Sequence, residues 1–143
     1  MFWDLTKATN LYIQSGHKQQ IYTLSAHPDG SLLFSGDTKG NGMLWDLRTG
    51  KSLLPLQGHT DKILASDFSP NGFLLATGGE DNYIRIWDLR KKGQVYCIPA
   101  HSKLVSDVKF NDTGSILFSV SHDTTIRLWH GVSFCLINNY KAD

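Results

Sequence analysis

The chain of 143 residues has little of what most function classes require. It carries two cysteines, Cys97 and Cys135, and neither has metal-ligand spacing to a partner. Both fall at similar places in apolar segments, so they are expected to be buried thiols in a reducing compartment. No apolar run approaches the ~18 residues of a membrane span. The opening Met1-Phe2-Trp3-Asp4 lacks the basic region and apolar core of a secretory signal. With a formal net charge of +1, no global field draws the chain to nucleic acid or to a membrane surface. No window carries the i, i+3, i+4 apolar stripe of an amphipathic helix, and no Gly-x-Ser-x-Gly elbow occurs.

What is present is repetition. The four tryptophans, Trp3, Trp45, Trp87 and Trp129, stand 42 residues apart, as do His17, His59 and His101. A fixed period of this length marks a repeat architecture built from one supersecondary unit. Within the second copy, residues 62–68, 73–77, 83–88 and 94–98 read as strands. They are separated by the turn signals Ser69-Pro70-Asn71-Gly72, Gly78-Gly79-Glu80-Asp81-Asn82 and Arg90-Lys91-Lys92-Gly93. The other copies follow, with turns at Pro28-Asp29-Gly30 and Asn111-Asp112-Thr113-Gly114 and third strands at 42–46 and 125–129. The expected fold is all-β, with four short antiparallel strands per repeat. Residues 1–15 are expected to be the end of a preceding unit, followed by repeats at 16–57, 58–99 and 100–143.

Each copy offers a histidine, a hydroxyl residue and an aspartate: His59, Thr77 and Asp81 in the second, His101, Ser119 and Asp123 in the third. Such a set invites comparison with a Ser-His-Asp hydrolase. Chemistry needs the constellation once, whereas here it recurs with the period and ends on a tryptophan each time, so a structural role is expected. The first copy holds His17, Ser35 and Trp45 but has Lys39 at the aspartate position, with Asp37 as a substitute two residues earlier. That unit is expected to be the least rigid. His27, His122 and His130 lie outside the periodic positions and read as exposed turn or strand-end residues. The basic turns Arg48-Thr49-Gly50-Lys51 and Arg90-Lys91-Lys92 read as solvated turns, with contact to RNA phosphate as the alternative.

From Gly58-His59 to Trp87-Asp88, with four strands between, the repeat resembles the WD40 repeat of β-propellers. The third copy departs from the pattern at Ala100 and at Trp129-His130. Three further stretches resemble the WD-repeat subunits of the U4/U6 small nuclear ribonucleoprotein, a group of pre-mRNA splicing factors. They are Trp45 to Gly50, Asp67 to Gly72, and Val95 to His101, the most telling part being Ile98-Pro99-Ala100-His101 followed by Leu104-Val105 and Val108-Lys109-Phe110. The resemblance implies a WD40 β-propeller segment: three blades and a partial blade of a ring that has seven in this family, hence a fragment of a longer protein. It implies that Trp, hydroxyl, His and Asp form a buried hydrogen-bonded tetrad in each blade. It also implies partner docking early in each first strand and just before the tetrad aspartate. Those positions are Gln20, Tyr22 and Thr38; Lys62, Leu64 and Glu80; and Leu104, Ser106 and His122. The function implied is a non-catalytic nuclear scaffold without cofactor or metal. Its partners would be other U4/U6 splicing proteins, contact with U4/U6 RNA would be indirect, and no membrane would be involved. A WD40 adaptor in chromatin or ubiquitin-ligase assemblies is the alternative. Three blades leave sheet faces uncovered, so self-association is expected.

Overall fold

The computed structural model describes residues 2–4, 9–12, 21–49, 51–91, 93–131 and 133–141, the first two segments in backbone only. Three four-stranded antiparallel sheets follow one another along the chain. The first contains β3 (Ile21–Ala26), β4 (Leu32–Asp37), β5 (Asn41–Asp46) and β6 (Lys51–Gln57). The second contains β7 (Ile63–Phe68), β8 (Leu74–Gly79), β9 (Ile84–Asp88) and β10 (Gly93–Ile98). The third contains β11 (Val105–Phe110), β12 (Ile116–Ser121), β13 (Thr125–His130) and β14 (Leu136–Lys141). Ahead of them β1 (Phe2–Asp4) pairs with β2 (Thr9–Tyr12). Strands pair in chain order, so each sheet is a meander. The first strand of the middle sheet, β7, lies against both β3 and β11. First strands therefore meet on the inner side of the array, and fourth strands form its outer edge.

The core lies between blades rather than within one. Phe34, Leu44 and Leu56 of the first blade pack on Ile63, Phe68, Leu75 and Trp87 of the second. One repeat later Ala76, Ile86 and Ile98 pack on Val105, Leu117 and Trp129 of the third. Fully burying side chains of this size contributes about 1.5–3 kcal/mol each, so the seams hold the array together. Gly78 and Gly79, read from sequence as turn residues, instead end β8, paired to Ala65 and Ile63. Their smallness serves the seam: a Cβ on Gly78 would lie 2.7 Å from Val105 Cγ1. Gly36, one repeat earlier, meets Ile63 in the same way, with a Cβ 2.8 Å from Ile63 Cβ. Glycine inside a strand here marks close approach, not a bend. The reverse turns keep the period too, with positive φ at Gly30, Gly72 and Gly114.

Polar contacts cross the seams as well. His27 Nε2 lies 2.8 Å from Gly72 O, its Nδ1 lies 2.7 Å from Asp29 Oδ1, and its ring sits edge-on to Phe68. The expectation of an exposed His27 is thus corrected: it staples the first blade to the second. At the next seam Asp67 Oδ2 accepts the Phe110 N–H at 2.8 Å. Burial raises the pKa of the Asp67 carboxyl despite that bond. The two cysteines also differ from expectation. Cys97 and Cys135 are exposed free thiols. Cys97 lies on outer strand β10 and Cys135 just before β14, where apolar spelling does not ensure cover.

Candidate functional site

In the middle blade, Trp87 Nε1–H donates to Thr77 Oγ1 at 3.0 Å, and Thr77 Oγ1 lies 2.7 Å from His59 Nε2. His59 Nδ1 lies 2.9 Å from Asp81 Oδ2, which also accepts the Thr60 N–H. The third blade repeats the chain: Trp129 Nε1–H to Ser119 Oγ at 2.9 Å, Ser119 Oγ to His101 Nε2 at 2.8 Å, and His101 Nδ1 to Asp123 Oδ2 at 2.9 Å. Indole N–H is only a donor, so the hydroxyl oxygen accepts from Trp and its own proton goes to the His Nε2 lone pair. This assigns a neutral imidazole whose Nδ1–H donates to the carboxylate.

The titration behaviour has the same origin. Burial is the largest influence on His101 and lowers its pKa from 6.5, outweighing the opposing pull of Asp123. Burial alone would raise the Asp123 carboxyl. The hydrogen bonds from Thr125, Ser102 and His101 outweigh it and hold the group well below the usual range. Asp81 is likewise lowered: burial opposes, but the hydrogen bonds from His59, Tyr83 and Thr60 prevail.

In the first blade Trp45 Nε1–H donates to Ser35 Oγ at 2.8 Å, while His17 lies outside the described residues. Asp37 is buried and accepts the N–H groups of Lys39 and Asn41 at 2.8 and 2.9 Å, capping the turn in which Lys39 sits.

The hydroxyls of Thr77 and Ser119 are wholly buried, each engaged on one side by Trp and on the other by His. A buried network with every member satisfied fixes one arrangement of the chain. It offers a substrate no approach to either oxygen, and a nucleophile must meet its substrate.

The residues marked for docking behave differently. Tyr22, Lys62, Leu64, Glu80, Leu104, Ser106 and His122 line one cleft of about 180 Å³ across the inner ends of the three blades. Thr38 is half-buried and does not line it, and Gln20 lies outside the described residues. Alternation places them together: each first strand begins at the same end of the array as the turn that carries Glu80 or His122. Tyr22 is 58 % exposed, and Lys62 Nζ stands 5.7 Å over its ring and 4.0 Å from Glu80 Oε1. Leu64 and Leu104 are half-buried at the floor. An apolar floor with a charged rim is the composition of a protein-docking patch.

His122 and His130 are exposed. Arg90 lies over the Phe73 ring at 4.3 Å, with its Nε 3.4 Å from Asp88 Oδ1, and both Arg90 and Lys91 are exposed. Gly50 and Lys92 of the two basic turns lie outside the described residues. Sequence reasoning missed the His27 staple and the Asp67 bond. The available signal was departure from the repeat, since Ser69 and Asn111 stand where His27 does, and Ser25 and Lys109 where Asp67 does. Among the described residues no group of three or more His, Cys, Asp or Glu is placed to hold a metal ion, and no helix is long and apolar enough to cross a membrane.

The WD domain, G-beta repeat (WD40) family matches residues 8–46, 50–88 and 92–130. Among solved structures, those of U3-55K and of the RRP9 WD40 repeats are similar to this chain. Each has a TM-score of 0.87 and 25 % identity, over 90 % of this chain and 41 % of the other. The chain thus spans less than half the length of these structures. No curated protein matches it.

Proposed function

The chain belongs to the WD40 repeat family, and from that membership we propose that it is a non-catalytic scaffold that docks a protein partner at the cleft between Tyr22, Leu64 and Leu104. The observation that carries this reading is the convergence of seven side chains from three blades on one cleft. The buried state of the Thr77 and Ser119 hydroxyls supports the absence of catalysis. The tetrads in this reading are structural: His17, Ser35 and Trp45; His59, Thr77, Asp81 and Trp87; His101, Ser119, Asp123 and Trp129.

The assembly we propose is the U4/U6 small nuclear ribonucleoprotein and its tri-snRNP, in the nucleus, with other splicing proteins as partners and RNA reached through them. Support comes from the stretch Ile98-Pro99-Ala100-His101 and its neighbours. The likeness to U3-55K and the RRP9 repeats favours a second reading, a WD40 subunit of a different assembly.

Recovery of the full-length protein from nuclear extract separates the two. Co-purified U4 and U6 RNAs are expected. Their absence removes the splicing assignment and leaves the docking reading standing. The substitution Leu104→Arg, at the cleft floor, is expected to release the protein partners without lowering the unfolding midpoint. Retention of every partner by a folded L104R variant contradicts the docking site.

A further inference from the structure

The cleft between Tyr22 and Leu104 lies at one end of the blades; the opposite end carries a larger opening. Between the second and third blades the turns leave a groove of about 640 Å³, within the range of ligand and peptide sites. Two differences between repeats open it, Ser69 in place of His27 and Gly131 in place of Leu89. At the first seam the His27 side chain crosses to Gly72 O at 2.8 Å and narrows this position to an opening of about 350 Å³ lined by leucines, among them Leu53, Leu54 and Leu89. One repeat on, Ser69 stands in place of His27 and Gly114 in place of Gly72. The Ser69 hydroxyl turns back to Asn71 Oδ1 at 2.6 Å and does not cross the seam.

The walls have a defined chemistry. Phe73 and Tyr96 are each 43 % exposed, and both line the groove. Arg90 and Lys91 supply two cations at its rim. The acidic wall residue Asp88 is already engaged: its Oδ1 accepts the Arg90 N–H at 2.9 Å and faces Arg90 Nε at 3.4 Å. Arg90 nevertheless keeps 63 % of its side chain exposed, so donors remain for an outside acceptor. A cationic rim over aromatic walls is complementary to a carboxylate beside a large apolar side chain. Base stacking would need open ring faces. Here the Phe73 face is under the Arg90 guanidinium, and the Tyr96 ring packs on Phe134 with centroids 5.1 Å apart.

We propose that this groove is a second docking site, for an extended peptide segment carrying an acidic residue next to a large apolar one. It is independent of the partner at the opposite cleft.

The test maps binding by amide chemical shifts on the whole chain. Three probes are used: a synthetic hexapeptide pool combining Asp or Glu with Phe, Trp or Leu; the same pool with Lys or Arg in place of the acids; and oligouridylate. The acidic pool is expected to give saturable shifts at Phe73, Lys91 and Ser115, and the basic pool none. Phe73→Ser and Lys91→Thr install the residues that the first repeat carries at these positions, Ser31 and Thr49. Each is expected to weaken the acidic pool by about fivefold, the factor equivalent to about 1 kcal/mol, with the unfolding midpoint unchanged. Ser69→His, which restores the crossing residue of the first seam, is expected to narrow the groove and weaken the acidic pool. No saturable shift with the acidic pool, equal binding of the basic pool, tighter binding of oligouridylate at these residues, or full binding by a folded S69H variant each overturns the proposal.

Discussion

At the scale of single residues, the tetrads convert a polar cost into rigidity, and their protonation states show how. Acid must undo them. His101 has its pKa lowered below 6.5 by burial, so between 6.5 and its folded value the unfolded chain binds a proton that the native chain refuses. Stability is therefore lost as pH falls below 6.5. Asp81 and Asp123 are held below 3.8, so a second loss sets in as pH falls below 3.8 toward their folded values. Asp67 opposes this trend, because its raised pKa lets the native chain take up a proton first. Urea unfolding midpoints are expected to fall from pH ~7 to ~5 and again below ~4, following the unfolded and folded pKa values. Asp123→Asn is expected to shrink the lower phase and, by removing the pull that raises His101, to deepen the upper one; a lower phase of full size in that variant contradicts the assignment. At this scale the sequence was most legible in His59, Thr77, Asp81 and Trp87, because identical spacing in two complete copies leaves one register. It was least legible in Cys97, where an apolar neighbourhood said nothing about which strand faces water.

At the scale of elements, the strands were readable from β-branched and aromatic spelling between turns, to within a residue or two at most ends. The seams were not, because repetition along the chain does not say which atoms of one copy meet the next. Gly78 reads as a turn former, yet it and Gly36 make room for Val105 and Ile63. The third repeat has Val120 at that position, 38 % exposed. Gly78→Ala places a methyl against Val105 and is expected to cost about 1–3 kcal/mol by overpacking, read from the urea midpoint. Gly93→Ala is the control, since its Cβ would meet nothing nearer than 3.9 Å. Equal midpoints for the two variants contradict the tight seam.

At the scale of the whole array, two faces are more exposed, among the described residues, than the internal seams. Ile63 and Val105 are 1 % and 0 % exposed, whereas Ile21, at the same position of the first blade, is 44 % exposed. Ile84 is fully buried and its counterpart Ile126 is 40 % exposed, in a row with Val120 and Tyr140 on one face of the third sheet. Apolar faces of this kind seek a partner, and unlike faces on the two sides favour head-to-tail association. Light scattering after size exclusion is expected to give a mass that rises with concentration. A concentration-independent monomer contradicts this.

The central claim is that the repeated His, hydroxyl and Asp sets hold each blade in one arrangement. Equilibrium unfolding of Ser119→Ala tests it most directly. Loss of the hydroxyl strands the Trp129 N–H and the His101 Nε2. At about 1–3 kcal/mol for each buried group left without a partner, the account predicts a loss of about 2–6 kcal/mol, against a typical total of about 5–15. An S119A variant that unfolds at the same urea concentration as the native chain contradicts it.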